Sequence, residues 1–147
     1  MSEIVDKQEL IRRWRKDWLF SLFVFSHLDF QKKLWIDSAF KDIIGSYDED
    51  MCQYFDDLFL HDKYKYQIDN GYISTEEMDL IIQFHNQLDN YEENGKSDRE
   101  ILNDELWKTI IVSGFNSWNK LKSILKNKNE IEFVIGLENK YLKINAA

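Results

Sequence analysis

The sequence predicts a mainly α-helical protein, a single-domain bundle of about five to six helices over residues 1–147. Three observations carry that expectation. The chain contains no proline, so no residue of that kind breaks a helix or marks a linker. Four segments place a polar cap three residues ahead of a Glu, the pattern that satisfies the free N–H groups of a helix start. Behind each of them apolar residues recur at steps of three and four, which puts them on one helix face.

The first helix opens at Asp6-Lys7-Gln8-Glu9 and carries Ile11, Trp14, Trp18, Leu22 and Phe25. Its apolar stretch, Trp18 to Leu28, is too short to span a bilayer and reads as a buried helix. A shorter helix from Phe30 to about Ile43 carries Leu34, Trp35 and Phe40. The second cap, Ser46-Tyr47-Asp48-Glu49, precedes Met51, Tyr54, Phe55, Leu58 and Phe59. A short segment over Asp62 to Asp69 carries Tyr64 and Ile68. The third cap, Ser74-Thr75-Glu76-Glu77, precedes Met78, Ile81, Phe84, Leu88 and Tyr91. The fourth, Ser97-Asp98-Arg99-Glu100, precedes Ile101, Trp107, Ile110, Gly114, Trp118, Leu121 and Leu125. Gly45, Gly71 and Gly95 fall between stripes, where a left-handed residue closes a helix. Gly114 lies inside a stripe and either admits a close helix crossing or marks a bend. In the tail, Ile131, Phe133, Ile135 and Leu137 alternate. Alternation argues for a strand, so residues 131–144 read as a C-terminal β-hairpin packed on the helices, with a short helix as the other reading.

Composition narrows the classes. Hydrophobic residues make up 44% of the chain and aromatic residues 15%, enough for a substantial core and too many for a disordered chain. Cys52 is the single cysteine, which excludes an internal disulfide and fits a reducing compartment. Charges spread through Ser2 to Lys16 leave no signal-peptide pattern, so a soluble, cytoplasmic protein is expected, with no membrane partner.

Signatures for chemistry are absent. Three residues before His27, His61 and His85 stand Val24, Leu58 and Ile82, so the Glu-x-x-His pair of a di-iron bundle is missing. Asp57 with His61 and His85 with Asp89 stand four apart, a spacing that serves an in-helix hydrogen bond better than a metal. Cys52 lies among Asp48, Glu49 and Asp50, and carboxylates suppress a thiolate. Five scattered glycines build no phosphate cradle. No catalytic residue, metal or cofactor is assigned, and the chain is expected not to be an enzyme. His85 sits on a core-facing stripe, where a core-edge histidine with one hydrogen bond is expected. His27 falls at the first helix end, where a cation opposes the dipole. The basic run Arg12-Arg13-Trp14-Arg15-Lys16 has Trp14 on the buried stripe, so its cations flank the core or pair with acids of the same chain, and no direct nucleic-acid contact is assigned.

Charge is the most informative property. Residues 1–45 carry a net +1 and residues 106–147 a net +4, whereas residues 46–105 hold seventeen acids against four bases, a net −13. First-turn acids such as Glu49 and Glu77 are ordinary helix design. Acids in helix middles, ends and loops are not, and they repel one another unless a partner offsets them. Tyrosines interleave with these acids, and Tyr supplies contact area at low entropic cost. The expected partner-binding residues are Asp48, Asp50, Tyr54, Asp56, Asp57, Asp62, Tyr64, Tyr66, Glu77 and Asp79.

In this character the chain resembles the immunity proteins of bacterial toxin–immunity systems, among them contact-dependent growth-inhibition and colicin-type nuclease immunities. The stretches that carry the resemblance are Asp48-Glu49-Asp50-Met51-Cys52-Gln53-Tyr54-Phe55-Asp56-Asp57 and Asp62-Lys63-Tyr64-Lys65-Tyr66. The resemblance implies an inhibitor that docks on a basic cognate toxin, such as a nuclease, in the cytoplasm, as a monomer or small homo-oligomer. The competing expectation is a helical adaptor that uses the same surface without inhibiting anything.

Overall fold

A computed structural model describes residues 6–142. The first helix, α1 (Lys7–Phe25), starts where Asp6 accepts the Gln8 N–H. From Trp18 to His27 every residue except Phe20 is buried, so the end of α1 is enclosed on almost all sides. A single turn, α2 (Leu28–Gln31), runs into a π-helical turn over Lys32–Ile36. The helix expected from Phe30 to Ile43 thus ends at Ile36, and irregular chain follows it to Ser46.

Helix α3 (Tyr47–Cys52) is capped by Ser46, which accepts from the Glu49 N–H, and continues as a π turn over Gln53–Asp57. Helix α4 (Lys65–Asp69) is one turn. Helix α5 (Thr75–Asn90) has a full capping box between Ser74 and Glu77. The same motif at Ser97 and Glu100 starts α6 (Asp98–Leu102). The stripe expected to continue unbroken from there is interrupted. Asn103 ends α6, and Asp104, accepting from Leu106 N–H, caps a separate α7 (Glu105–Ile124).

The tail is helical, which corrects the hairpin expectation. Helix α8 (Lys128–Leu137) and a π turn over Glu138–Leu142 replace it, and residues 143–144 lie outside the described residues. The alternating apolar residues were a poor guide because a better local signal competes with them. Asn127 accepts from both Asn129 and Glu130 N–H, a helix start. Val134, Leu137 and Tyr141 then recur on the buried face, while Ile135 is 49% exposed. There is no strand among the described residues.

The interior is largely aromatic. Trp18, Phe23, Phe25, Phe30, Phe84, Trp107 and Trp118 are at most 1% exposed, and they belong to one cluster with Leu19, Leu22, Leu88 and Leu121. Phe25 and Trp107 meet edge to face at 6.2 Å, a favoured aromatic geometry. Polar ends of the indoles are satisfied inside: Trp107 donates to Gln31 Oε1 (2.9 Å), and Gln31 donates to the Val24 carbonyl (2.9 Å). The most extensive helix pair is α5 with α7, and Gly114 makes their closeness possible. A Cβ there would lie 2.6 Å from the Phe84 ring and 3.0 Å from the Phe25 carbonyl oxygen, so Gly114 serves a close crossing rather than a bend. Gly71 and Gly95 do adopt left-handed conformations (φ 78° each). Gly45 does not; a Cβ at that residue would approach the Asp50 carboxylate to 2.7 Å.

Candidate functional site

The acidic segment divides into an inward and an outward set. Asp48, Asp56, Asp57, Asp62 and Asp79 are exposed, and Tyr66 is 51% exposed. Asp50, Tyr54, Tyr64 and Glu77 are buried, and this corrects their placement on a docking face. Each is turned inward by a specific partner.

Tyr54 and Tyr64 belong to a hydrogen-bond chain in the core. Trp18 Nε1 donates to Tyr64 Oη (2.8 Å), the two tyrosine hydroxyls lie 2.6 Å apart, and Tyr54 Oη lies 2.9 Å from His85 Nδ1. The indole N–H can only donate. If Tyr64 O–H then donates to Tyr54 and Tyr54 O–H to His85 Nδ1, each hydroxyl is satisfied. The proton of His85 then sits on Nε2, which has no partner. The reverse direction would also strand the Tyr64 hydroxyl proton. Burial disfavours the imidazolium and lowers the His85 pKa to about 4, so this histidine is neutral near pH 7. It does not bond Asp89.

Asp50 accepts from Trp35 Nε1 at 2.7 Å. Burial pushes its carboxyl up to about 6, the Trp35 bond opposes this, and Glu49 and Asp98 add to the rise. Its position was legible: Tyr47, Asp50, Tyr54 and Leu58 recur at helical spacing, and all four are buried.

Glu77 is one end of an ion cluster centred on Arg15. Arg15 Nη1 and Nη2 donate to the two Glu77 oxygens (2.9 and 2.6 Å), and its Nε and Nη2 donate to Glu130 (2.6 and 3.0 Å). A further bond runs from Arg15 to the Tyr72 carbonyl (3.0 Å). Burial would lower the Arg15 pKa, but the hydrogen bonds to Glu77 and Glu130 outweigh it and the guanidinium is held above its ordinary range. Burial acts to raise Glu77, and Arg15 and Ser74 bring it below the usual carboxylate range. The expectation that the basic run pairs with acids of the same chain holds at Arg15. Arg12 and Arg13 pair with Glu9 instead.

Elsewhere in the acidic segment most carboxylates lack a cationic partner. Of the seventeen acids in residues 46–105, four have a Lys or Arg partner: Asp69 with Lys65, Glu77 with Arg15, Asp104 with Lys96, and Glu105 with Lys108. The other thirteen have none among the described residues. Asp56 bonds His61 Nε2 at 2.5 Å on the surface, so His61 meets Asp56 rather than Asp57.

The turn after α3 presents a residue that periodicity misplaced. Phe59 was expected on a buried stripe but is 71% exposed, between Leu58 (3%) and Leu60 (0%). The π turn shifts the phase of the stripe, and Phe59 then takes a left-handed conformation (φ 59°), which is uncommon for a bulky residue. Buried Gln67 holds it there by donating to the Leu58 and Phe59 carbonyls (3.0 Å each), and Trp14 Nε1 also donates to Leu58 (3.0 Å). The exposed aromatics of the acidic region are therefore Phe59 and Tyr66. Tyr47, Tyr54, Tyr64 and Tyr91 are buried.

Cys52 is exposed, and its thiol is pushed up, first by desolvation and then by Asp56, Asp48 and Asp57. His27 is buried, and desolvation lowers its pKa against the bond to the Phe23 carbonyl, so it is no cation at the helix end. Among the described residues no group of three or more His, Cys, Asp or Glu side chains is placed to hold a metal ion, and no helix is long and apolar enough to cross a membrane. No family model, curated protein or solved structure matches the chain.

Proposed function

We propose that this chain is an inhibitor of the immunity type, which binds a basic protein toxin such as a nuclease through the exposed part of its acidic segment. The docking face comprises Asp48, Asp56, Asp57, Asp62 and Asp79, with Phe59 and Tyr66 as its aromatic contacts. The observation that carries this reading is the set of twelve carboxylates, the thirteen less buried Asp50, that stand outside the core without a lysine or arginine partner in one stretch of chain. Self-repulsion of that set costs stability, and a cationic partner offsets it. Such a field also raises the rate of encounter with a cation-rich surface. The buried residues of the segment hold α3, α4 and α5 in place and make no contact with a partner. An aromatic surrounded by acids suits an interface core with a charged rim.

The test is to identify the basic protein that co-purifies with the chain from its native cell at low salt, then to follow their association by stopped flow. The expected result is inhibition of that protein's activity and an association rate that falls steeply with ionic strength. A rate independent of salt removes the reading. Micromolar binding without inhibition selects the adaptor.

A further inference from the structure

The core holds a connected set of oxidisable side chains that the acidic face does not use. Trp14 is the one tryptophan of five that is not buried, since Trp18, Trp35, Trp107 and Trp118 are all at most 8% exposed. Its indole stacks on that of Trp18, with centroids 5.5 Å apart and planes 21° from parallel. Trp18 meets Tyr64 edge to face at 6.3 Å and donates from Nε1 to its hydroxyl at 2.8 Å. The Tyr64 hydroxyl lies 2.6 Å from that of Tyr54, which reaches His85 Nδ1 at 2.9 Å. A continuous path of rings and hydrogen bonds thus leads from the surface to Tyr54 and His85, both fully buried.

A phenol that loses an electron becomes a strong acid, so it is oxidised easily only where a base takes the proton at once. The indole N–H fills one lone pair of Tyr64, so the Tyr64 O–H points to Tyr54 and the Tyr54 O–H to His85 Nδ1. Two other tyrosines donate to a base, Tyr91 to Asp104 and Tyr141 to Asp42. Those carboxylates are held below the usual range, Asp104 chiefly by Tyr91 and Asp42 chiefly by Lys140. His85, lowered by burial, titrates at about 4, which makes it the strongest base of the three. Burial, Lys63 and His61 oppose the imidazolium that would form, and Asp89 favours it. Tyr72, edge-on to Trp14 at 5.5 Å, is the competing end point.

We infer that Tyr54 is a redox-active tyrosine, oxidised reversibly by outer-sphere one-electron oxidants that meet the protein at Trp14. The oxidant takes one electron from Trp14, Trp18 refills Trp14, and Tyr54 refills Trp18. The phenolic O–H bond of Tyr54 breaks, its proton forms a bond to His85 Nδ1, and a neutral phenoxyl radical remains. The electron gained by the oxidant balances the one lost by Tyr54, and the proton stays inside the protein. A one-electron reductant such as ascorbate reverses both transfers. This assignment stands apart from the acidic docking face, and either can fail without the other.

The test is photo-oxidation of the full chain by tris(bipyridine)ruthenium(III), generated in a flash with a cobalt(III) ammine as terminal acceptor, and followed by electron paramagnetic resonance. The expected signal is a neutral tyrosyl radical whose oxygen accepts two hydrogen bonds, from His85 Nδ1 and Tyr64 Oη, visible as two exchangeable proton couplings. Ascorbate should erase it and restore the native chain. Tyr54→Phe should abolish the signal, and Trp14→Phe should slow its appearance. Tyr72→Phe should leave it unchanged. His85→Phe keeps the ring but removes the proton acceptor, and should also abolish the signal. Should the core variants not fold, the proton couplings of the native chain and the Tyr72→Phe result still decide.

A tyrosyl signal that survives Tyr54→Phe, or that vanishes in Tyr72→Phe, overturns the assignment. So does a radical oxygen bonded only to solvent. Consumption of Trp14 with no tyrosyl signal overturns it as well, and would mean that the buried hydrogen-bond chain serves stability alone.

Discussion

Two groups of carboxylates in this molecule have similar local sequence and opposite fates. Around Arg15, Glu77 and Glu130 are nearly enclosed, and a guanidinium from another helix satisfies both. At the turn after α3, Asp56, Asp57 and Asp62 stand exposed without a lysine or arginine. Both Glu-Glu at 76–77 and Asp-Asp at 56–57 are adjacent acids in the same −13 segment. What separates them is the direction of one side chain relative to the apolar stripe. Glu77 is the third residue of a capped helix and turns toward α1, whereas the π turn sends Asp56 and Asp57 outward. Net charge by segment therefore overstates a binding surface, and the burial of each acid must be resolved first.

The comparison can be broken most forcefully at its buried end. Arg15→Ala would leave two enclosed carboxylates unpaired and is expected to cost about 3–5 kcal/mol, read by urea denaturation. A loss no larger than that of an ordinary surface substitution would show that the cluster is solvated and that the contrast is false.

The second test uses pH. His85 titrates in the fold at about 4 and near 6.5 when unfolded, so its contribution is present above 6.5 and is lost as pH falls through 4. Asp50 has the opposite sign. Its folded value of about 6 lies above the unfolded value near 3.9, so its contribution is present below 3.9 and is lost as pH rises through 6. The two offset each other during mild acidification. Asp50→Asn removes one side and should make the protein lose about 2 kcal/mol between pH 7 and pH 4.5, while the native chain changes less. Parallel stability profiles for the two proteins would refute the offset.

The exposed end is tested by reversal. Replacing Asp56, Asp57 and Asp62 together with Lys should leave the denaturation midpoint unchanged or raise it by relieving repulsion, and slow association with the cationic partner about tenfold at low salt. A lowered midpoint would place these residues with the structural set.

The smallest effect is expected at Phe59. Phe59→Gly relieves the left-handed conformation and should stabilise the isolated chain by up to about 1 kcal/mol, while speeding dissociation of the complex. Stability and affinity that fall together would mean that Phe59 packs against the protein after all.

Much of the fold was readable because caps are local. Asp6, Ser46, Ser74 and Ser97 all begin helices, and the stripes behind them supply most of the core. The failures share a cause, a local geometry that changes the phase of a pattern. Asp104 starts α7 without a Glu three residues on, so the break after α6 had no box to announce it. The π turn at Gln53–Asp57 moved Phe59 from the inside to the outside. In the tail, a two-residue alternation outweighed the Asn127-to-Glu130 cap, although Val134, Leu137 and Tyr141 also fit a helix. Of the ten candidate contact residues, the four that proved internal lie on stripes with other apolar residues or face a partner from a distant helix. Sequence spacing reveals the first circumstance but not the second.

The Arg15 cluster also bears on synthesis. It joins a residue of the first helix to the starts of α5 and α8, and its last member is residue 130. A nascent chain that has emerged from the ribosome only through α5 can form half of this contact, with the guanidinium still short of one carboxylate. Helix α1 can therefore complete this cluster only after residue 130 has emerged, so the cluster closes after α5, α6 and α7 have been made.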